Sequence, residues 1–373
     1  MTAKRKKKSS LNFFNKTVLF LNGVSALLLL LSYSASAIDP ETLWPIAFIG
    51  LAYPFILLLN VGFVVYWLLQ KPKFALLSLL TILLGWPMLT KNIGFRQSTA
   101  DESPKSSANA IRVLTYNVHF FRSMEYQNDK SIKDKMLDVI QQEQPDVVCI
   151  QEFMTHERGE YNLIKSIKKI LNTEHYYFVQ TNNYPYEAQG LAIFSKYPIK
   201  KKGHIVFPNT PSGNEVIFAD LKTGKKTFRI YNVHLQSIAF QPEDYKYLEN
   251  VKSVSADMKS SRRIGSRLKR AFIKRGEQVK LLKEQTQDCK YPYAITGDFN
   301  DTPVSFAVNT MASGLNNAFV EKGSGFGKTY NGDFPNFQID YILTSKDIDV
   351  KNYRIIKKKV SDHYAVRSDL ELK

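Results

Sequence analysis

The stretch Tyr293-Ala294-Ile295-Thr296-Gly297-Asp298-Phe299-Asn300-Asp301 decides how the chain is read. An apolar run reaches a glycine, and a carboxylate and a carboxamide follow, two residues apart. Residues i and i+2 of a strand share a face, so Asp298 and Asn300 can converge on one point. An acid and an amide that converge suit a hydrated metal, a water nucleophile or a phosphate oxygen. A strand ending in an Asx-rich turn gives the same letters, so the surrounding chain has to decide.

Working outward, the same signature recurs at other strand ends. Residues 111–119 (IRVLTYNVH) alternate apolar side chains and reach Asn117. Residues 131–143 have helical periodicity, with Ile132, Met136, Val139 and Ile140 on one side, until Gln144-Pro145-Asp146 breaks it. Residues 147–150 are a continuous apolar strand with Gln151-Glu152 at its end. Residues 161–171 read as an amphipathic helix, and 176–180 and 190–194 as strands. Residues 215–221 and 227–234 read as a strand pair joined near Thr223-Gly224, and the second ends in Asn232-Val233-His234. Residues 337–343 (FQIDYIL) form a strand holding Asp340, residues 353–360 lead into Ser361-Asp362-His363, and 366–372 close the chain. There is no internal repeat. Strands and helices mix without strict β-α-β alternation, which predicts an α/β fold of packed mixed sheets with helices outside.

The polar residues at these ends are Asn117, Glu152, Asn232, His234, Asp298, Asn300, Asp340, Asp362 and His363. Any one alone is weak evidence; strand ends in separate segments converge when the strands share a sheet.

The formal net charge is +17. Residues 1–100 carry 10 Lys+Arg against 2 Asp+Glu, and the remainder is basic as well, which points to a polyanionic partner or an anionic membrane surface. Two cysteines, Cys149 and Cys289, exclude a disulfide framework and read as small hydrophobes in or beside apolar strands. Between Lys252 and Lys280, ten Lys/Arg face only Asp257 and Glu277. This helical segment is either a solvated face or a phosphate- or lipid-facing surface.

The first hundred residues are of another kind. The cluster Lys4-Arg5-Lys6-Lys7-Lys8 precedes three apolar runs, at about 18–38, 44–69 and 74–90, each near the ~20 residues that cross ~30 Å of hydrocarbon. They predict a three-helix transmembrane anchor over 1–96. Ala35-Ser36-Ala37 also fits a signal-peptide cleavage site, but the run is long for one and two more follow, which favours an uncleaved helix. The basic N-terminus belongs in the cytoplasm, Asp39–Thr42 outside and Lys71 and Lys73 inside. Everything after about residue 95 then lies outside the cytoplasm: in a bacterium, a multi-pass inner-membrane protein with a periplasmic domain. Residues 97–110, rich in Ser, Ala, Lys and Asp, read as a linker.

Seven motifs then occur in order: YNVHFF at 116–121, PDVVCIQE at 145–152, GLAIFSKYPI at 190–199, YNVHLQS at 231–237, GDFND at 297–301, IDYIL at 339–343 and SDH at 361–363. Over 111–373 the chain resembles the endonuclease/exonuclease/phosphatase superfamily. The resemblance implies a four-layer α-β-β-α sandwich of two mixed sheets and Mg²⁺- or Mn²⁺-dependent cleavage of a phosphoester. It implies Glu152 as the principal metal ligand, with Asn117 beside it and Asp362 as a further ligand. It gives Asp298 the water to deprotonate, Asn300 a phosphate oxygen to hold, and Asn232 a part in substrate binding. His363 would contact the phosphate, with Asp340 orienting it and keeping it protonated. His234 would contact the phosphate or protonate the leaving oxygen. Gln338 departs from the pattern, since many relatives carry a basic residue there, and the stretch 238–275 matches no motif.

For substrate, the basic domain favours nucleic acid, which makes an endonuclease-like activity the leading expectation. The anchor favours a phospholipid or sphingolipid head group. The aromatics Tyr184, Tyr186, Phe240, Tyr245 and Tyr247 serve either reading. A non-catalytic binding module on the same fold is a third. No protein partner is inferable.

Overall fold

In the computed structural model, the described residues are 11–96, 104–123, 127–208, 210, 213–241, 243–244, 247, 258–332 and 337–373. From residue 111 onward two mixed sheets stack face to face. The seven-stranded sheet runs Ile348–Val350, Ala365–Leu372, Ile111–Asn117, Val147–Thr155, Ala188–Ser195, His175–Asn183, with Arg354–Ile356 also paired to Ala365–Leu372. The six-stranded sheet runs Asn316–Asn317, Asp340–Thr344, Tyr293–Asp298, Lys226–His234, Val216–Thr223, Ile199–Ile205. Each sheet has one parallel pair: Ile111–Asn117 with Val147–Thr155, and Lys226–His234 with Tyr293–Asp298.

The layers follow from which side chains alternate inward. Val113, Cys149 and Ile193 from one sheet meet Ile217, Ile230, Ala294 and Ile342 from the other. On the outer face of the first sheet, Leu114, Val148 and Phe194 are covered by Met136 and Val139 of the Lys130–Glu143 helix and Ile167 of the Leu163–Leu171 helix. On the outer face of the second, Tyr231 and Ile295 are covered by Val279 and Leu282 of the Met258–Gln287 helix and Met311 of the Phe306–Ala312 helix. This is the α-β-β-α order expected from the sequence. Both cysteines are free, Cys149 buried in the core and Cys289 half-buried.

In the N-terminal region the expectation of three spans is met in part. Among the described residues, two helices are long and apolar enough to cross a membrane, Phe13–Ser34 and Tyr53–Gln70; a third counts only if Pro72–Leu84 and Trp86–Asn92, bent by 67°, form one span. The run expected at 44–69 is broken into Pro45–Leu51 and Tyr53–Gln70. Prolines stand at the start of each piece, where a missing N–H costs nothing and ends the preceding turn. The third run breaks at Gly85, ahead of Trp86-Pro87. The pattern of these helices is inverted relative to the sandwich. Asn22, Ser25, Asn60 and Ser78 are buried, and Phe20, Leu58, Leu69 and Leu84 are each at least 70% exposed. Ser78 donates to Asn22 and Asn60, and Asn60 donates to Ser25. Gly50 lets the Pro45–Leu51 helix approach Phe13–Ser34, since a Cβ there would lie 2.5 Å from the Ala35 Cβ.

This region is packed onto the sandwich. Lys280 of the long helix binds Asp39 at 2.7 Å and Glu41 at 3.2 Å. Ile93–Phe95 pairs antiparallel with Ser324–Phe326. Of the expected linker, Ser106 donates its backbone N–H and hydroxyl to Asp369, each at 3.0 Å.

Candidate active site

Three adjacent strands put His234, Asp298 and Asp340 in one row: Asp340 is the register partner of Asp298 in the antiparallel pair, and His234 its partner in the parallel pair. Gly297 permits this close alignment. Its φ is 137°, and a Cβ there would stand 2.0 Å from the Val233 carbonyl. The strand ends at Asp298, so Asn300 does not reach the site by strand alternation. It sits at φ 52°, and its backbone N–H donates to Asp298 Oδ1 at 2.7 Å. Its side chain donates to the Leu235 carbonyl at 3.0 Å and to Asp298 Oδ2 at 3.2 Å. The Asx turn and the converging site are therefore the same feature.

The second sheet contributes the other half. Asn117 Nδ2 donates to Asp298 Oδ2 at 3.1 Å, joining the two sheets at the site. His363 Nδ1 lies 3.0 and 3.2 Å from the Asp340 oxygens, and its Nε2 lies 3.7 Å from Asp298 Oδ2. Ser361 ties this corner down by donating its hydroxyl to the Asn117 carbonyl at 3.0 Å. His234 Nδ1 donates to the Gly213 carbonyl at 2.7 Å, which turns Nε2 toward Asp298 Oδ2 at 3.6 Å and Glu152 Oε1 at 3.8 Å.

Glu152 is delivered by an irregularity. Its φ is 48°, and the pairing register shifts between Ile150 and Phe153. A bulge of this kind re-aims a side chain, so Gln151 stays fully buried and Glu152 reaches the site mouth. Glu152 and Asp362 line one cavity together with His119 and Asn300. The ion pairs of these two carboxylates are with histidines, Glu152 with His234 and Asp362 with His119 Nδ1 at 3.4 Å. Hard oxygen donors beside a cavity fit a magnesium-like cation, which takes one or two carboxylates and keeps its waters. Asn117 is already committed, its Nδ2 to Asp298 and its Oδ1 accepting from the His119 backbone N–H at 3.1 Å. Asp298, Asp340 and His363 form a second, fully buried grouping with ligand atoms within 4.8 Å of one another.

The electrostatics follow from burial. Burial pushes the Asp298 carboxyl up to about 6; the charge of His363 opposes this and that of Asp340 adds to it. Burial works against the charged form of His363 as well, but Asp340, Asp298 and Asp362 outweigh it and hold its pKa well above the ordinary value. For Asp362, burial is outweighed by His363 and His119, and the carboxyl falls to about 2. His119 is raised: burial lowers it, and Asp362 more than compensates.

Not every expected residue meets the cavity. Asn232 is fully buried between the sheets, donating to the Ile150 and Ala192 carbonyls at 2.9 Å each and accepting from Gln151 at 2.5 Å. That position leaves it holding the sheets together, out of reach of a substrate. Gln338 is buried against Gly327. Of the aromatics, Phe240 lines the cavity, Tyr247 packs nearby, Tyr184 and Tyr186 are exposed elsewhere, and Tyr245 lies outside the described residues. The basic run is largely answered from within the chain. Arg263 and Arg267 bind Asp244, Lys274 binds Glu277, and Lys269 stands 4.7 Å from the Trp44 ring centroid; Lys252 lies outside the described residues.

The sequence reading missed His119, although Tyr-Asn-Val-His occurs at both 116–119 and 231–234 and the second copy supplied His234. It also missed Arg275, which lines the same cavity.

Comparison with known proteins agrees with this fold. Residues 114–363 match the model of the Endonuclease/Exonuclease/phosphatase family, and the chain belongs to that family. Members of the family are typically hydrolases of phosphoester bonds and generally depend on a divalent metal. Residues 15–92 match a model described as a domain of unknown function (DUF8431). Similar solved structures include an endonuclease/exonuclease/phosphatase from Beutenbergia cavernae, with 17% identity, 71% of this chain and 72% of that one covered, and a TM-score of 0.51. One from Bacteroides vulgatus has 17% identity, covers 71% and 99%, and scores 0.51. The human Nocturnin catalytic domain, solved with a bound sulfate anion, has 18% identity, covers 72% and 96%, and scores 0.51. The search of curated proteins finds no match.

Proposed function

We propose that the chain is a membrane-anchored, divalent-cation-dependent phosphodiesterase whose catalytic domain stands on the extracytoplasmic side of a bacterial inner membrane. The observation that carries the hydrolase reading is the line Asp340–His363–Asp298, completed across the sheets by Asn117. A buried carboxylate held by two amides and faced by two histidines is suited to take a proton from water next to an anionic phosphate.

In this reading the water oxygen bonds to phosphorus, its proton passes to Asp298, and the phosphorus–oxygen bond to the leaving alcohol breaks. Asn117 and the Asn300 backbone N–H fix the Asp298 carboxylate, so its free lone pair points at the water. His363, kept protonated by Asp340, stabilises charge that grows on the phosphate oxygens. His234, anchored through Nδ1 on Gly213, presents Nε2 to the phosphate or gives a proton to the leaving oxygen. Glu152 and Asp362 would hold Mg²⁺ or Mn²⁺, which supplies positive charge against the phosphate. Asn300, which lines the same cavity, would also contact a phosphate oxygen.

The inverted pattern of the N-terminal helices supports the anchor: a protein that exposes leucine and phenylalanine while burying a Ser/Asn network is built for lipid. The orientation rests on the cationic N-terminus and on Lys71 and Lys73. A nuclease reading is favoured by the net charge of +17. It loses weight because the Met258–Gln287 helix directs several of its cations at Asp244, Trp44, Asp39 and Glu41. The test is turnover of bis(p-nitrophenyl) phosphate and of supercoiled plasmid by the full chain in dodecyl maltoside, with Mg²⁺ and with EDTA. Mg²⁺-dependent release of p-nitrophenolate supports the reading; no turnover of either substrate contradicts it.

A further inference from the structure

Glu152 stands at the junction of two unlike cavities. One, of about 220 Å³, is walled by Thr181, Asn182, Asn214, His234 and Gln236. The other, of about 190 Å³, has an apolar wall of Leu51, Ile238, Phe240, Leu268, Phe272 and Ile339 facing a polar one that includes Arg275, Asp301 and Asp362. Glu152, Ser237 and Ala239 border both. A phosphate at Glu152 would therefore have an arm with polar side chains on one side and, on the other, an arm with an apolar wall beside its polar groups (the apolar arm).

The apolar arm is partly made by the N-terminal helices. Leu51 ends the Pro45–Leu51 helix, directly before the Tyr53–Gln70 span. Phe48 of the same helix packs edge-on against Phe272, with centroids 5.3 Å apart at 88°. Lys269 over Trp44, and Lys280 on Asp39 and Glu41, hold this wall to the long helix. Tryptophan and lysine at such a place mark the head-group level of a bilayer, so the apolar arm opens where lipid begins.

The same cavity holds two donor nitrogens that no described residue answers by a hydrogen bond. Arg275 is 1% exposed, and its Nη1 and Nη2 have no hydrogen-bond partner among the described residues. Its Nε donates to the Ala271 carbonyl at 3.2 Å and lies 3.3 Å from Asp301 Oδ2. Leaving two guanidinium nitrogens buried and unmet is costly, and it is relieved by an oxygen ligand in the cavity.

Resting on the phosphodiesterase reading, we infer that the substrate is an amphiphilic phosphodiester of the bilayer, with its polar alcohol in the Thr181–Gln236 arm and its first hydrocarbon segment between Leu51, Phe240, Leu268 and Phe272. Arg275 donates to an oxygen next to the phosphate on the hydrocarbon side. The N-terminal region is then a wall of the substrate site as well as a tether. The cavity volume admits only the part of the amphiphile nearest the phosphate; the remaining chain stays in lipid.

The test compares two chromogenic diesters with the same leaving group, p-nitrophenyl methyl phosphate and p-nitrophenyl dodecyl phosphate, on the full chain in dodecyl maltoside. The expected kcat/KM for the dodecyl ester is about 100-fold above that for the methyl ester. Leu51→Ser and, separately, Leu268→Ser should reduce that ratio by about tenfold or more, and Arg275→Lys, which keeps the charge beside Asp301, should raise KM for the dodecyl ester about tenfold. Equal kcat/KM on the two diesters, or plasmid DNA as the better substrate, overturns the inference while leaving the phosphodiesterase reading intact. A ratio unchanged in both serine variants also overturns it, since the preference would then come from micelles alone. Inactivity of the wild type on both diesters removes the phosphodiesterase reading and the inference with it.

Discussion

Asn117, on the seven-stranded sheet, donates its side-chain amide to Asp298, on the six-stranded sheet, at 3.1 Å. The buried carboxylate of one sheet is thus held by the other, and the site exists only where the two stack. Asn117→Leu keeps the branched shape and removes the donor. It should lower kcat by about 10- to 100-fold, as for other groups that orient a reacting side chain, and cost about 1–3 kcal/mol of stability, because the buried His119 N–H also loses its acceptor. Steady-state kinetics and a melting curve check this; a variant with unaltered kcat means that Asp298 is not positioned through Asn117.

The pH profile should carry the mark of burial on Asp298. Burial pushes its carboxyl up to about 6, and it must be ionised to accept a proton, so kcat/KM should fall as pH drops through about 6. Asp340 pushes Asp298 up and holds His363 protonated. Asp340→Asn should therefore move the acidic limb to lower pH and bring His363 deprotonation down as well, narrowing the active range from the alkaline side. An acidic limb that stays in place in Asp340→Asn contradicts the coupling.

Stability has its own titration at the far end of the first sheet. Arg112 binds Asp369 through Nε at 2.7 Å and Nη2 at 3.0 Å, with Asp369 fully buried. Burial raises the Asp369 carboxyl, but Arg112 and Ser106 outweigh it and bring it to about 2. The folded value lies below the ordinary ~3.9 of an unfolded Asp. The stabilisation is then fully present above about pH 4 and is lost as pH falls through about 2. Asp369→Asn leaves Arg112 without its counter-charge and should cost roughly 3 kcal/mol at neutral pH. A urea titration at pH 7 and pH 3 measures both effects.

Much of this was legible in the sequence because the site is built from strand ends. Asp298 closes an apolar run and Asp340 opens one, and runs of that kind have nowhere to go but a sheet interior. What stayed hidden depends on the third dimension. The strand Ile199–Ile205 was missed because Lys200-Lys201-Lys202 reads as a loop; it is the edge of the six-stranded sheet, where lysines guard an unpaired rim. Glu152 is at the right place in the sequence, but the bulge that turns it outward leaves no letter behind. Asn232 stands at a strand end like the others and the resemblance gives it a part in substrate binding, yet the stacking of the sheets spends it on the Ile150 and Ala192 carbonyls. Arg275 was absorbed into a basic run. Its spacing from Leu268, Phe272, Val279 and Leu282 places it on the buried stripe of the helix, and that periodicity was the available signal.

Topology is separable from chemistry. Alkaline phosphatase fused after residue 110 should be active and a cytoplasmic reporter at the same point inactive, because Lys71, Lys73 and the N-terminal cluster stay inside. The opposite pattern would reverse the proposed orientation without touching the site.

The most direct test of the central claim is the rate of bis(p-nitrophenyl) phosphate hydrolysis by Asp298→Asn in Mg²⁺, measured beside the wild type and at matched folding. The substitution keeps the shape and one acceptor oxygen for either the Asn300 backbone N–H or the Asn117 amide, while removing the proton acceptor. The account predicts a loss of kcat of about 100-fold or more across pH 6–9. Hydrolysis within a few-fold of wild type would contradict it, since the water would then be activated by some group other than Asp298.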